Sequence, residues 1–378
     1  MVRYWTIIFS FLIAFSFTKA EAKNPPPGTG TTDIPANILI MLDNSGSMSA
    51  RLAGAVQIHY PVDVNVDRFG NIYVLEYWNN RIKKFDSSGN YIKAFGGPGS
   101  NCSQWRNARQ FDIKDDVIYI SDTNNYRYVT LTLDGACRRT ETVWSLMKNT
   151  PIAMAVGGGW AWVSTPTRIG SHYTPSMYPN PGRNVYNNEG GGSNFIWGMS
   201  WNRSGSRIAY ANYSRNRVRI AYRSGHQLVG QNSPYASNRV RNCSANRPTD
   251  TAWDSSGNVY YTSVGTHAVY KINPDTCSES KLVGSWSTSS GFRYPYGIEI
   301  DSADNIYVTD YYNFTVRKYN TSGSETLSVG GSNTRLEAAK KVIKKIVSNT
   351  NLTSGANFGL MEWGSSGSRT RIRVKIGN

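Results

Sequence analysis

Three oxygen-bearing side chains stand two residues apart where an apolar run ends: Asp43, Ser45 and Ser47, in the string Asp-Asn-Ser-Gly-Ser. Asp43 offers a hard anionic oxygen and the two serines offer hydroxyls. Gly46 lets the loop turn back on itself, so that all three can face one point. One carboxylate with neutral oxygens suits a divalent cation, Mg²⁺ first, with Ca²⁺ or Mn²⁺ as substitutes; Mg²⁺ keeps its remaining positions for water or a ligand group. The chemistry on offer is ligand capture, in which an oxygen of a partner completes the shell of the held ion. His59, His172, His226 and His267 have no ligand spacing, and no Ser-His-Asp or Cys-His pairing has supporting context. The chain is accordingly read as a binding protein and not as an enzyme.

The loop needs a strand behind it and a helix after it. Asn37 to Leu42 (Asn-Ile-Leu-Ile-Met-Leu) is a continuous apolar run, the pattern of a parallel strand covered on both faces. Ligands of open α/β sheets gather at the carboxyl ends of such strands, where Asp43 stands. Far downstream, Thr334 to Val347 sets Leu336, Ala339, Val342, Ile343, Ile346 and Val347 on one stripe of an amphipathic helix, with Thr334 and Glu337 spaced as a capping box. Asn357 to Trp363 and Arg371 to Ile376 then read as two further strands.

Between them the chain repeats itself. The clearest copy starts at Tyr60-Pro-Val-Asp, runs through Asp67-Arg-Phe-Gly-Asn-Ile-Tyr-Val, and returns from Tyr294-Pro-Tyr-Gly through Asp301-Ser-Ala-Asp-Asn-Ile-Tyr-Val. A third copy starts at Arg247-Pro-Thr-Asp, and weaker ones start near Phe111, Ile152 and Phe195. Six units of ~40 residues signal the blades of a propeller, since one unit cannot bury its own faces and a closed ring can. Each unit reads as short alternating strands joined by Asp/Ser/Gly turns. The blade tyrosines and tryptophans read as packing, and Arg215 to Arg223, which alternates, as a solvated strand face. The triplets at Asn313 and Asn351 are of a length that arises by chance.

Cys102 and Cys243 both sit in Asn-Cys-Ser, and each has a cysteine at nearly the same distance downstream: Cys137 after 35 residues and Cys277 after 34. Of the three pairings four cysteines allow, this favours Cys102–Cys137 and Cys243–Cys277, each tying the start of a blade to its outer hairpin in blades two and five. Disulfides belong to oxidising compartments. The N-terminus agrees: Arg3, the apolar run Trp5 to Phe17 and small residues at Ala20 and Ala22 are a signal peptide in order. That run is short of the ~20 residues a membrane helix needs, and no other stretch is apolar enough, so the mature chain is expected to have no membrane span. Lys and Arg number 41 against 25 Asp and Glu, a net charge of +16. A basic surface attracts polyanions and also keeps an exported protein soluble.

Asn37 to Met48, joined to Thr334 to Gly364, resembles a von Willebrand factor A domain with its metal-ion-dependent adhesion site, in the manner of type IV pilus tip-associated adhesins of the PilY kind. The inserted units resemble NHL repeats. The resemblance implies a mainly β chain: a six-bladed NHL-like propeller inserted into a partial α/β, Rossmann-like A domain. The divisions are signal peptide 1–22, linker 23–34, A-domain first part 35–50, propeller 51–332 and A-domain second part 333–378. It also implies Asp43, Ser45 and Ser47 as metal ligands, with a Thr and an Asp from later loops that this sequence does not contain; the A domain is expected to be truncated at its third strand. The expected partners are protein or cell-surface ligands and pilus components, and the expected place is the periplasm, outer surface or pilus of a bacterium. A basic propeller binding extracellular DNA or acidic glycan is the alternative. A propeller lyase or hydrolase, which would use central histidine ligands, fits the scattered histidines poorly.

Overall fold

The structure, a computed structural model, describes residues 36–43, 56–142, 151–157, 159–165, 169–173, 196–224, 227–228, 240–286, 291–331, 339, 342–343, 356–363 and 371–376. These fall into two compact units. One holds the described residues up to Asp43 and from Ala339 onward; the other holds those between.

The first strand, β1, covers Ala36–Asp43. The larger unit then runs as successive antiparallel meanders. The first sheet holds β2 (Pro61–Val66), β3 (Ile72–Glu76), β4 (Arg81–Phe85) and β5 (Tyr91–Gly96). The second holds β6 (Phe111–Lys114), β7 (Val117–Asp122), β8 (Arg127–Thr132) and β9 (Cys137–Thr142). The third holds β10 (Met154–Gly157), β11 (Trp160–Ser164) and β12 (Ile169–Tyr173). The fourth holds β13 (Ile196–Trp201), β14 (Arg207–Asn212) and β15 (Arg217–Ser224), with both β16 (Gln227–Leu228) and β17 (Val240–Ser244) paired to β15. The fifth holds β18 (Pro248–Trp253), β19 (Val259–Ser263), β20 (Ala268–Ile272) and β21 (Glu279–Val283). The sixth holds β22 (Pro295–Ile300), β23 (Ile306–Asp310), β24 (Thr315–Tyr319) and β25 (Glu325–Gly330).

Five of these sheets carry four or more strands, so the ring has five complete blades and not the six expected. The unit expected near Ile152 contributes three strands; a fourth would fall in 174–195, outside the described residues.

The apolar core is a set of clusters between neighbouring sheets. Val62, Leu75 and Ile82 of the first meet Trp105, Phe111 and Ile118 of the second. The ring closes the same way: Val64, Val74 and Phe85 pack with Tyr307, Val316 and Val329 of the sixth. No strand is exchanged at this seam among the described residues, so side-chain packing makes the closure. Second strands such as Ile-Tyr-Val-Leu-Glu (β3) are buried along their whole length because a sheet covers each face. Outer strands such as β21 face solvent.

The turn chemistry explains the repeat. In Asp67-Arg-Phe-Gly-Asn-Ile-Tyr, Asp67 Oδ1 accepts the Phe69 and Asn71 N–H groups, each at 2.9 Å, and Oδ2 accepts Tyr73 O–H at 3.0 Å. Asp301 repeats this with Ala303, Asn305 and Tyr307. A side chain that bonds its own backbone two residues on fixes a tight turn.

Both disulfides pair as the spacing favours, with Cα–Cα distances of 5.5 Å for Cys102–Cys137 and 5.2 Å for Cys243–Cys277. The second differs from expectation in its place. Cys243 lies in β17, which pairs with β15 of the fourth sheet. Its bridge to Cys277 therefore joins two sheets, within a cluster holding Val218, Ile220, Trp253 and Tyr261.

In the smaller unit, β1 runs parallel to β26 (Ala356–Trp363), and β27 (Arg371–Ile376) lies antiparallel to β26. Helical backbone appears only at Ala339, Val342 and Ile343 among the described residues of the expected helix. The fold is mainly β with almost no helix, and the expected Rossmann-like α/β domain is not evident. Three strands without described covering helices do not make a doubly wound sheet.

Candidate functional site

The six inner strands, β2, β6, β10, β13, β18 and β22, surround a cavity of about 100 Å³. Four acids reach it: Asp63, Asp112, Asp250 and Glu299. Burial raises the pKa of all four. Asp112 is pushed up to about 6, and the charge of Asp250 adds to the rise at Asp63.

The three aspartates are staples between inner strands that share no ladder. Asp63 Oδ2 accepts the Phe111 N–H at 2.8 Å, Asp112 Oδ2 the Val156 N–H at 2.6 Å, and Asp250 Oδ2 the Ile298 N–H at 3.0 Å. Each reaches the next sheet round the ring. The close approach excludes side chains at two points: a Cβ on Gly297 would lie 2.6 Å from Asp63 Cα, and one on Gly198 would lie 2.7 Å from Asp250 Cα. Shifted pKa values often mark active sites, but buried bonded acids shift too. A cavity of this size has room for a few waters. Among the described residues, no group of three or more acidic, histidine or cysteine side chains is placed to hold a metal.

Gln110 closes the channel. Its Oε1 accepts the Met154 and Met199 N–H groups at 2.9 and 3.2 Å, and its Nε2 donates to Met199 O at 3.1 Å and to Asp250 Oδ1 at 2.9 Å. One amide thus touches the third, fourth and fifth sheets from the second. On its other side lies a shallow pocket lined by Arg109, Trp197, Thr249 and Tyr296.

That pocket opens into a mouth of aromatic rings at the starts of the inner strands. Trp197 stacks with Tyr213 at 4.6 Å and with Tyr296 at 5.6 Å. Tyr296 meets Tyr311 at 5.0 Å, and Tyr311 meets Tyr60 at 5.1 Å. The Arg109 guanidinium lies over Tyr77 at 5.0 Å and Trp197 at 5.3 Å and donates to Tyr77 Oη at 3.3 Å. It has no ion-pair partner among the described residues.

A local device holds the mouth. Tyr60, Arg247 and Tyr294, each just before a proline that opens an inner strand, have left-handed φ of 48°, 43° and 65°. Non-glycine residues rarely adopt this. Here each carbonyl accepts an N–H from the facing turn, of Tyr77, Val264 and Tyr311 respectively. Buried carboxylates secure two of these loops and the matching loop before the second sheet: Glu76 accepts His59 N–H, Asp310 accepts Arg293 N–H and Asp122 accepts Arg106 N–H, at 2.7–2.8 Å.

The residues singled out from the sequence lie elsewhere. Asp43 ends β1 opposite Trp363; Ser45 and Ser47 lie outside the described residues, as does His226. His172 lies within β12. His59 packs on Phe314. His267 Nδ1 accepts the Tyr294 N–H at 3.3 Å, and burial lowers its pKa. Arg219 is only 2 % exposed, so the alternating arginine strand is not wholly the solvated face expected, although Arg215 is exposed. The mouth was missed because its aromatic doublets, Tyr77-Trp78 and Tyr311-Tyr312, read as packing. Their shared place in the two clearest repeats was the available signal.

Comparison with known proteins agrees with the fold. Residues 292–319, which take in β22 to β24, match the NHL repeat. No curated relative matches. Among solved structures, a streptogramin B lyase is similar with a TM-score of 0.52 at 12% identity, over 74% of this chain and 85% of that one. The virginiamycin B lyase of Staphylococcus aureus gives 0.52 at 11% identity, over 74% and 87%. An auxiliary nutrient binding protein of Bacteroides thetaiotaomicron gives 0.55 at 10% identity, over 69% of each chain. Identities this low establish a shared β-propeller fold of NHL type and nothing finer.

Proposed function

We propose that this is an exported, non-enzymatic binding protein that takes its ligand at the aromatic mouth of the propeller. The observation that carries the reading is Arg109: a cation held between Tyr77 and Trp197 with no ion-pair partner among the described residues, at the open side of a channel that Gln110 closes. A few polar groups set among aromatic rings are the usual make-up of a ligand site. Two disulfides support an oxidising compartment, the periplasm or outer surface of a bacterium. A similar propeller named as a nutrient binding protein is compatible with capture of a ligand.

The test is a titration of the full chain with sugars, nucleotides and aromatic peptides, read by tryptophan fluorescence. At least one class should give a saturable change that Arg109→Gln weakens about tenfold. A silent panel, or a response indifferent to Arg109→Gln, overturns the reading.

A second site, for metal-dependent adhesion, is proposed at Asp43, Ser45 and Ser47 with Mg²⁺, Ca²⁺ or Mn²⁺ as the ion. It is supported by β1 running parallel to β26 with Asp43 at its carboxyl end, where α/β sheets collect ligands. Association with type IV pili, and with protein or cell-surface partners there, rests on the resemblance of these segments. Calorimetry with Mg²⁺ should show one site per chain that Asp43→Ala abolishes; stoichiometric Mg²⁺ retained by that variant would sink the assignment.

A further inference from the structure

Beyond Arg109 the mouth carries a second guanidinium in the same kind of setting, and around it three exposed rings form part of a band. Trp78 Nε1 donates to Tyr311 Oη at 3.0 Å. Tyr311 meets Tyr312 at 4.9 Å, Tyr312 meets Tyr294 at 5.1 Å, and Tyr294 meets Trp286 at 6.2 Å. Trp78, Tyr312 and Trp286 are 61%, 42% and 57% exposed. Arg293 lies 5.9 Å from the Trp286 ring centre and 5.8 Å from that of Tyr312. Its Nε has no hydrogen-bond partner, and no carboxylate lies within ion-pair distance of it among the described residues, though its charge is felt at Asp310. The nearby Asp310 is engaged by the Arg293 backbone N–H and by Asn313.

We propose that this band, from Trp78 through Tyr312 to Trp286, binds an extended acidic polysaccharide, with sugar faces on the rings and a uronate carboxylate on Arg293. The inference rests on the mouth being a binding site. Large exposed rings in one stripe are costly on a soluble surface unless something covers them. Sugar rings present C–H faces that lie flat on aromatic surfaces. The rings of the band meet edge to face, at 80° and 88°, so no slot between parallel rings receives a base. Single-stranded nucleic acid also needs a basic groove that follows every phosphate. Here one unpaired cation serves three exposed rings, which matches a chain whose charge recurs at intervals. The excess of Lys and Arg over acids favours a polyanion over a neutral glycan at long range.

The experiment titrates the full chain with octasaccharides of hyaluronan and of glucuronoxylan, each against its carboxyl-reduced form, and with an oligothymidylate of matching length. At least one uronate form should bind at least tenfold tighter than its reduced form. Trp78→Ala and Trp286→Ala should each weaken it about tenfold without moving the melting temperature, since both rings are exposed. Arg293→Gln should erase the preference for the charged form. Reduced forms that bind as tightly, or oligothymidylate that binds tighter, overturn the acidic-glycan inference and leave the mouth as a binding site. Binding that both tryptophan variants retain overturns the band as the site. No response to any probe, with the folded state verified, overturns the inference, while the wider panel above still decides the mouth.

Discussion

Gln110 Nε2 and Asp250 Oδ1 meet at 2.9 Å inside the ring, joining the start of β6 to β18 of the fifth sheet. The contact closes the channel and separates the carboxyl-lined cavity from the aromatic mouth. Gln110→Ala should leave the Met154 and Met199 N–H groups without partners, while Asp250 Oδ1 keeps the Thr251 N–H. At about 1–3 kcal/mol for each buried unsatisfied group, we expect a loss of about 3–5 kcal/mol in urea unfolding, relaxation recovering part. A loss under about 1 kcal/mol would show that water replaces the amide freely.

Asp112 gives a pH signature of known sign. Burial holds its folded pKa at about 6, above the ~3.9 of an unfolded chain. Its contribution to stability is therefore complete below about pH 4 and is lost as the pH rises through about 6. Asp112→Asn keeps an oxygen to accept the Val156 N–H and removes the charge. It should match the parent at pH 4 and exceed it by about 1–3 kcal/mol at pH 8. Parallel stability profiles from pH 4 to 8 would refute the assignment.

The two disulfides should open in order under mild reductant. Cys243 is 1 % exposed in the core between the fourth and fifth sheets, while Cys137 is exposed. Alkylation and mass spectrometry on the native chain should find Cys102 and Cys137 labelled first. Replacing Cys243 and Cys277 together by serine should cost about 3–4 kcal/mol by the loop-entropy model, plus the packing lost around them. Simultaneous labelling of all four cysteines would contradict this order.

Gly297 tests the contact between the first and last sheets. Gly297→Ala places a methyl 2.6 Å from Asp63 Cα, against backbone that cannot give way alone. We expect at least ~3 kcal/mol of destabilisation, the scale of overpacking, and a lowered melting temperature. Gly97, with nothing within 4 Å of its added Cβ, is the control and should lose under about 0.5 kcal/mol as alanine.

Much of this protein is local, and the sequence alone determined it. The Asp-x-x-x-Asn turn is made by Asp67 bonding its own neighbours, and it recurs at Asp254 and Asp301 in the clearest repeats. The strands expected at Asn37–Leu42, Asn357–Trp363 and Arg371–Ile376 appear as β1, β26 and β27, because apolar or alternating runs between turn residues have few other options. Matched spacing was enough to pair the cysteines.

Only the tertiary structure decided what depends on ring closure. It gave the Cys243–Cys277 bridge to two sheets, through the pairing of β17 with β15. It buried Arg219, a residue that strand alternation had assigned to solvent. It brought Tyr60 of the first sheet against Tyr311 of the last, and set Gln110 across the axis to Asp250. A period-2 pattern says which side chains share a face of a sheet; it does not say which neighbour that face meets. That is settled by long-range packing between blades, and the mouth is composed of residues that meet only when the ring is shut.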